Sequence, residues 1–588
     1  MSFKETFRKE LEFIKKDGNL FSEIHPHLAR FLSDKSTDPD AERIIESFAF
    51  LTAKVKEKLN DSFPELTHSI LHLLWPNYLR SVPSCSILQF QPKERAITTK
   101  HIIAKGTQVD SKPVNDTKCH FRSCTDVAVY PLKLVSADTQ IVGQGTIMKW
   151  DFDCLSEQGL QGLECDELSV FFSGSDYNAL TLFQWFFNYL DKINLMVGDK
   201  EYSLPLNYIE KQGFKQQEAL LPYPENVFDG YRLIQEFFHY PSRFLFIKIR
   251  NLSDYFKNSD KVNFKLIFQF SRSLPGNVYL SLDDFRLFCT PIINLFNHIA
   301  QPINLDNQRS SYPVIPVGQN KDYYEIFSIE SVTGVELNGE SRNKGMLKEY
   351  TEFETFAHDL ENKDSRSNLF FKKQLVENIQ ETGFDYFLSF VKSDQSLYHS
   401  HDETVSVDLI CSNRNLPNEL SIGDISLPSQ DTPSYVTFSN ITKPISSLNP
   451  VIDGSLQWNL ISNLSLNYLS LMNTERLKNL LMSYDFLSFY DIQAKRRTQK
   501  RIDAIKSIRS EPIDKLIKGI PFRGIHSTIE IDGKGFLCEG EVYLFGNILA
   551  EFLRLYSTIN SFHELTVVNL ENNESFIWTL QIGKQPII

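Results

Sequence analysis

Apolar residues in the first eighty positions recur at helical spacing. Phe3, Phe7, Leu11 and Ile14 stand four, four and three residues apart, which puts them on one face of a helix. Thr37-Asp38-Pro39-Asp40 has the residues of a helix start, with Asp38 as N-cap and Pro39 at the first helical position. From there Ile44, Ile45, Phe48, Leu51, Val55 and Leu59 form an apolar stripe, and a third helix is expected between Pro64 and Pro76. Three amphipathic helices in tandem must bury these stripes against one another or against another chain. The pattern leaves both open.

After Pro83 the period changes to two, the spacing of strands. Short strands are expected at Ser86–Phe90 and, around Gly106, at Ile102–Val109 and Cys119–Val127. Phe264, Leu266, Phe268 and Phe270 share a face, and Val278, Leu280 and Leu282 repeat the alternation, as do Val405, Val407 and Leu409. Arg243–Arg250 is apolar on both faces, as a strand covered on both sides would be. Glu336–Ser367 reads as a surface excursion and boundary, and Pro428–Pro450 as a loop. Helix is expected again from Trp458 to Tyr484, then a helical basic stretch to Arg509, then mixed strand and helix over Phe536–Leu570. The expected fold is α+β and multidomain. It comprises an N-terminal helical segment (1–82), a β-rich domain (83–335), a second β-rich domain with surface loops (336–450) and a C-terminal α/β domain (451–588).

Charge narrows the function classes. The 588 residues carry 74 Asp and Glu against 61 Lys and Arg, a net charge of −13. That field opposes binding of the whole chain to nucleic acid or to an anionic membrane surface. With 25 Gly and 25 Pro the chain is too poor in both for a linker-dominated or collagen-like protein. Its 46 Phe suit thick cores and broad partner contacts. Met1–Asp17 carries charges where an export signal has an apolar stretch. The most apolar run, Leu180–Leu190, includes Gln184 and Asn188 and is shorter than the ~20 residues that span a bilayer. The eight cysteines follow no framework spacing, so they are expected to be reduced and structural, in a cytoplasmic protein.

Each candidate catalytic or metal constellation lacks a residue that its chemistry needs. His68-Ser69-Ile70-Leu71-His72 has two imidazoles four apart, but Ser69 stands where a zinc protease has its glutamate. His399-Ser400-His401-Asp402 is half of a binuclear metal loop. Cys119, His120, Cys124, Cys154 and Cys165 lack the short pair that preorganises thiolates around zinc. Gly143-Gln144-Gly145 and Gly533-Lys534-Gly535 lack the third glycine of a dinucleotide loop, and neither a phosphate cradle nor a nucleophile elbow occurs. Asp283 and Asp284 would point to opposite faces of a strand. The expectation is a non-enzyme without cofactor or metal. One anomaly is left, the basic run Lys495–Arg501, which reads as a solvated helix face or a docking site for an acidic partner.

Several stretches together resemble a known family. Gly230-Tyr231-Arg232-Leu233-Ile234-Gln235-Glu236-Phe237-Phe238, continuing through Pro241 to Phe244-Leu245-Phe246, is similar to one signature of the TssF (VasA/ImpG) family of the bacterial type VI secretion baseplate. Leu456 through Leu471, with Trp458, Ser462, Leu464, Asn467 and Tyr468, resembles the other, although Asn463 stands where the family usually has His. Phe48–Ala53, Phe63–Leu66, Pro76–Arg80, Cys289–Pro291, Cys411–Pro417 and Gly546–Phe552 follow the family pattern in order. The resemblance implies a structural wedge protein, two copies of which pair with one TssG-like subunit. It also implies contacts with TssK, TssE, the VgrG-like spike hub and the sheath, with no nucleic acid and only an indirect link to the inner membrane. A wedge protein of another contractile, phage-tail-like machine is the alternative. Phe3, Phe7, Leu11, Ile14, Ile44, Phe48 and Leu51 are the expected intersubunit residues. Gly230, Tyr231, Arg232, Gln235, Glu236, Trp458, Ser462, Leu464, Asn467 and Tyr468 are expected to maintain the fold, with a buried Arg232–Glu236 pair one helical turn apart.

Overall fold

The computed structural model of the chain describes residues 7–8, 11–12, 15, 43–52, 68, 70–72, 74–93, 96–223, 229–257, 259, 261–306, 309–318, 320–336, 347–353, 369–377, 383–392, 403–451, 457, 460, 473–517, 519–555, 557 and 561–583. Its axis is the strand Cys85–Pro92, whose first six residues are all buried. Small and apolar residues on both faces are what such a doubly covered strand requires. It pairs antiparallel with Cys289–Ile293 on one side and with Val436–Asn440 on the other. The six-stranded sheet runs Ile425–Pro428, Gln108–Ser111, His120–Ser123, Cys289–Ile293, Cys85–Pro92, Val436–Asn440. The expected strand Ile102–Val109 is two strands, His101–Ile103 and Gln108–Ser111, because Gly106 turns the chain at φ +88°, a left-handed conformation that glycine adopts freely.

A five-stranded sheet (Lys200–Leu204, Leu190–Val197, Asn263–Phe270, Gly145–Cys154, Leu132–Val142) and a four-stranded one (Ile209–Lys211, Phe246–Arg250, Glu167–Phe172, Phe285–Leu287) stand beside it. Trp150 is fully buried among Phe152, Phe186, Phe268 and Phe285, with ring centroids 4.7 to 6.5 Å apart. The phenylalanine-rich composition is used here. Edge-on and tilted rings fill the volume with little conformational entropy to lose.

The described residues between 296 and 411 form a β unit with its own core. The long strands Glu325–Glu336 and Glu403–Ser412 are its centre, and Val332, Leu388, Val405, Val407, Leu409 and Cys411 are buried within it. In the C-terminal region the helices Thr474–Ser483, Leu487–Tyr490 and Ile492–Asp503 follow one another. Four strands follow in the order Ile505–Ile517, Ile520–Ile531, Ser561–Asn569, Glu574–Ile582. The middle two are parallel, so the chain must cross over between them, and it does so through the helix Glu539–Arg554. We number the helices used below α1 (Asp176–Gln184), α2 (Asp229–His239), α3 (Thr474–Ser483), α4 (Leu487–Tyr490), α5 (Ile492–Asp503) and α6 (Glu539–Arg554).

The fold is therefore α+β and β-rich, but several expected elements differ. Val436–Asn440 lies in the stretch read as a loop and completes the central sheet, with Phe438 against Phe90 at 6.0 Å. It ties the stretch 336–450 to the stretch 83–335 within one sheet. Leu347–Glu349 and Thr351–Glu352, inside the expected excursion, are strands that pair with Glu325–Glu336 and Leu369–Glu377. Val278, Leu280 and Leu282 alternate without forming a strand, since no described neighbour offers them a ladder, and Tyr279 is exposed. Arg243–Arg250 begins as a 3₁₀ turn, Pro241–Phe244, so the doubly covered strand is only Phe246–Arg250. Helix ends at Asp503 rather than Arg509, and strand starts at Ile505. Among the described residues no helix is long and apolar enough to cross a membrane.

Helices α1 and α6 approach so closely that a Cβ on Gly540 would sit 2.2 Å from the Leu180 carbonyl oxygen. At an open helix position Gly→Ala stabilises by about 1 kcal/mol. Here the sign should reverse: Gly540→Ala is expected to destabilise by about 1–3 kcal/mol in urea unfolding, because neither backbone can move freely. An increased midpoint would contradict the close approach.

Candidate assembly surfaces and the buried ion-pair hub

Helix α2 carries the signature stretch, and every residue from Gly230 to Phe238 is buried. Its partners come from all over the chain. Tyr231 stacks on Tyr484 at 4.7 Å and meets Trp75 and Phe552 edge-on at 5.7 and 5.5 Å. Phe237 packs on Phe545 at 5.4 Å, and the Arg501 guanidinium lies over its other side at 5.5 Å from the ring centre. The N-terminal segment and the C-terminal helices therefore both terminate on one helix of the β-rich middle.

Beneath these rings lies a charge cluster. The Glu236 carboxylate receives Arg232 at 3.1 Å, one helical turn away, and also pairs with Arg243. All three side chains are almost fully buried. The Leu220 amide donates to the same carboxylate at 3.1 Å. Further guanidinium donors reach backbone carbonyls: Arg232 that of Phe214 at 3.0 Å, Arg243 those of Gly213 at 3.0 Å and Glu218 at 2.5 Å. Gly213 sits at φ +99°, and its amide donates to the Glu218 carboxylate at 2.7 Å. That carboxylate lies 3.6 Å from Lys248, which also pairs with Glu167 at 2.6 Å. Buried charges are costly unless paired, and arginine's planar fork reaches a carboxylate and carbonyls together.

A second seam joins α6 to the middle sheets. Lys211 donates to the Asn547 side-chain oxygen, which also accepts from the Trp578 indole at 2.9 Å. The Lys211 ammonium faces the rings of Phe187 and Tyr543 at 5.2 and 5.6 Å. Burial lowers its pKa to about 8, with Glu551 pulling the other way. Arg272 adds an outer clasp, pairing with Glu574 at 2.7 Å and donating to the Tyr189 hydroxyl at 2.5 Å.

The N-terminal helical residues present a different surface. In 43–52, Ala49 is buried while Ile44, Phe48 and Leu51 are 70, 62 and 59% exposed. These three lie four and three residues apart, so a single apolar line faces outward. Phe7 and Leu11 are half-buried, with Phe7 edge-on to Phe50 at 6.4 Å. Phe3 and Ile14 lie outside the described residues, as do Trp458, Ser462, Leu464, Asn467 and Tyr468 of the second signature. Of that stretch Gln457 and Leu460 are described. Both are buried, and Gln457 reaches the His68 ring at 3.1 Å. Gln235 accepts a long hydrogen bond, 3.4 Å, from the Tyr223 hydroxyl.

Sequence spacing pointed to Arg232 with Glu236 but not to Arg243, Glu218, Lys248 or Lys211. Arg243 stands on the 3₁₀ turn after α2, where no helical period connects it to Glu236. Among the described residues no group of His, Cys, Asp and Glu could hold a metal ion. All eight cysteines are free thiols, and burial pushes Cys119 to about 12 and Cys124 to about 11, far from the range of a reactive thiolate.

Comparison with known proteins places this architecture. The profile of the family described as "Type VI secretion system, TssF" matches residues 1–585. The type VI secretion system component TssF1 of Pseudomonas aeruginosa is 27% identical over 625 residues, with 99% of each chain covered. A chain of the type VI secretion TssK-TssF-TssG baseplate subcomplex, solved by cryo-electron microscopy, superposes with a TM-score of 0.77 at 24% identity, over 92% of this chain and 99% of that one. A chain of a type VI secretion baseplate complex superposes at 0.69 and 22% identity, over 100% of both. At these identities the structural likeness concerns the fold.

The hub makes two expectations testable. Glu236→Ala leaves two buried guanidiniums facing each other and should destabilise by about 3–5 kcal/mol in chemical denaturation. Apolar replacement of Arg232, Glu236 and Arg243 together should recover only part of that, since the carbonyls of Gly213, Phe214 and Glu218 would lose their donors. For Lys211 the sign follows from its lowered value. A lysine of the unfolded chain titrates near about 10.4, so the unfolded state binds more protons between pH 8 and that point, and stability rises with pH across the window. The expected gain is about 3 kcal/mol, at 1.36 per unit. Lys211→Met should flatten the rise, and an unchanged slope would place the titrating group elsewhere.

Proposed function

Because the chain belongs to the TssF family of type VI secretion systems, we propose that it is a non-enzymatic wedge subunit of the secretion baseplate. In this reading two copies pair with one TssG-like subunit. That core carries TssK and connects to TssE, the VgrG-like spike hub and the sheath, at the cytoplasmic side of the inner membrane and attached to it only through other subunits.

The observation that carries the reading is the outward apolar line of Ile44, Phe48 and Leu51. Full burial of one such side chain yields about 1.5–3 kcal/mol, so leaving three exposed forfeits several kcal/mol unless another chain covers them. The residues expected at the intersubunit bundle, Phe7 and Leu11 among them, lie on this N-terminal region. The rest of the molecule suits a part that transmits force: its distant segments are tied to one helix, leaving the N-terminal apolar line as the adaptable surface. A TssK-TssF-TssG subcomplex containing a chain of the same fold supports the assignment of partners.

The test is co-expression with the TssG-like partner and mass measurement of the purified complex by light scattering. Two copies per partner are expected. Ile44→Asp with Phe48→Asp should abolish co-purification, while the unfolding free energy of the isolated chain in urea changes by no more than about 0.5 kcal/mol, since both side chains are already exposed. A monomer that ignores its partner, or a double variant that still co-purifies, would overturn the reading.

A further inference from the structure

Helix α5 carries the basic run, and its packing separates two kinds of residue. Ala494, Thr498, Arg501 and Ile502 face inward, with Arg501 paired to Glu541. Lys495, Arg496, Arg497 and Lys500 are all exposed, and among the described residues none of them has an acidic partner. The two carboxylates at the helix ends are already engaged. Asp491 caps the N-terminus by accepting from the Gln493 amide at 2.8 Å, and Asp503 accepts from the Gln499 side chain at 3.0 Å. Four unpaired cations on one helix are out of character in a chain of net charge −13.

The cations are not alone. Phe489 and Tyr490 at the end of α4 and Ile492 at the start of α5 are 50, 51 and 70% exposed. Ile492, Arg496 and Lys500 succeed one another at intervals of four, so they form a line along the helix: one apolar position, then two cations. We propose that this face is a docking site for an acidic segment of a partner protein, a helix bearing carboxylates one turn apart and an apolar residue at one end. The proposal is independent of the Ile44–Phe48–Leu51 surface and of the partner assigned to it.

Charge complementarity selects the occupant. A bilayer would be met by a helix with a broad apolar face toward lipid, whereas the outward line of α5 has one apolar residue, Ile492, followed by cations, and Ala494 and Ile502 turn into the protein. A nucleic acid or anionic membrane would also extend past the patch over a chain of net charge −13, whose field opposes it. A peptide that covers only the patch meets the cations without that opposition, and Phe489, Tyr490 and Ile492 give it a contact that salt does not screen.

The experiment uses the full chain and a fluorescently labelled synthetic helix with glutamates four apart and a terminal phenylalanine, read by anisotropy at low salt. Wild type should bind. The charge reversal R496E/K500E should weaken binding about tenfold, as expected when two favourable exposed pairs become repulsive. The same peptide with lysines in place of glutamates should then bind the reversed protein. I492D should weaken the acidic peptide about threefold, through the lost apolar contact. Thermal unfolding of each variant, compared with wild type, confirms that the fold is kept. Absence of binding by wild type, an affinity that ignores the reversal, or failure of the lysine peptide to restore it would overturn the proposal. So would single-stranded DNA or phosphatidylglycerol vesicles binding more tightly than the peptide at equal salt.

Discussion

One carboxylate, Glu236, sits between two guanidiniums in the interior, and most of the long-range order of this chain depends on satisfying that arrangement. Two buried arginines would be untenable around an uncharged residue, and one carboxylate cannot saturate ten N–H donors. The loop that precedes α2 supplies further acceptors. Its carbonyls at Gly213, Phe214 and Glu218 accept from the two guanidiniums, with Gly213 in the left-handed conformation and a tight 3₁₀ turn at Gln216–Glu218. A constraint of electrostatics thus becomes a constraint on backbone path.

The rings around α2 turn this local knot into an architectural one. Trp75, Tyr484, Phe545 and Phe552 belong to segments at both ends of the chain, and all close on Tyr231 or Phe237. The Lys211–Asn547–Trp578 contact and the Arg272–Glu574 clasp hold α6 and its sheet against the same middle sheets. Tied together inside and apolar or basic at some outer faces, the molecule has the distribution of surfaces that an assembly part needs, and six of its eight thiols are buried.

What the sequence disclosed depended on the range of each interaction. The Arg232–Glu236 pair was legible because both residues share a helix and a period. The strand Asn263–Phe270 was legible because one face is apolar and the other is not. Val436–Asn440 was not, since prolines surround it and its ladder partner stands hundreds of positions earlier. The change from helix to strand at Ala504 carries no glycine or proline, so the helical reading ran on to Arg509. At Val278–Leu282 the alternation was present but no strand came to lie alongside. Of the candidate sites, the exposed line through Phe48 and the cationic face of α5 could be located by pattern, whereas Arg243 and Lys211 answer to neighbours that only the fold brings near.

The pairing of Cys85–Pro92 with Val436–Asn440 also sets a clock on biosynthesis. At roughly 5–20 residues per second a ribosome needs on the order of tens of seconds to deliver the second strand after the first. Throughout that interval the edge that will receive Val436–Asn440 offers unpaired amides and carbonyls, and the apolar face beside it is uncovered. Non-local pairing of this kind is slow to form once the chain is complete. Shielding of the nascent chain until residue 440 has emerged is therefore a requirement that the topology imposes on the cell making it.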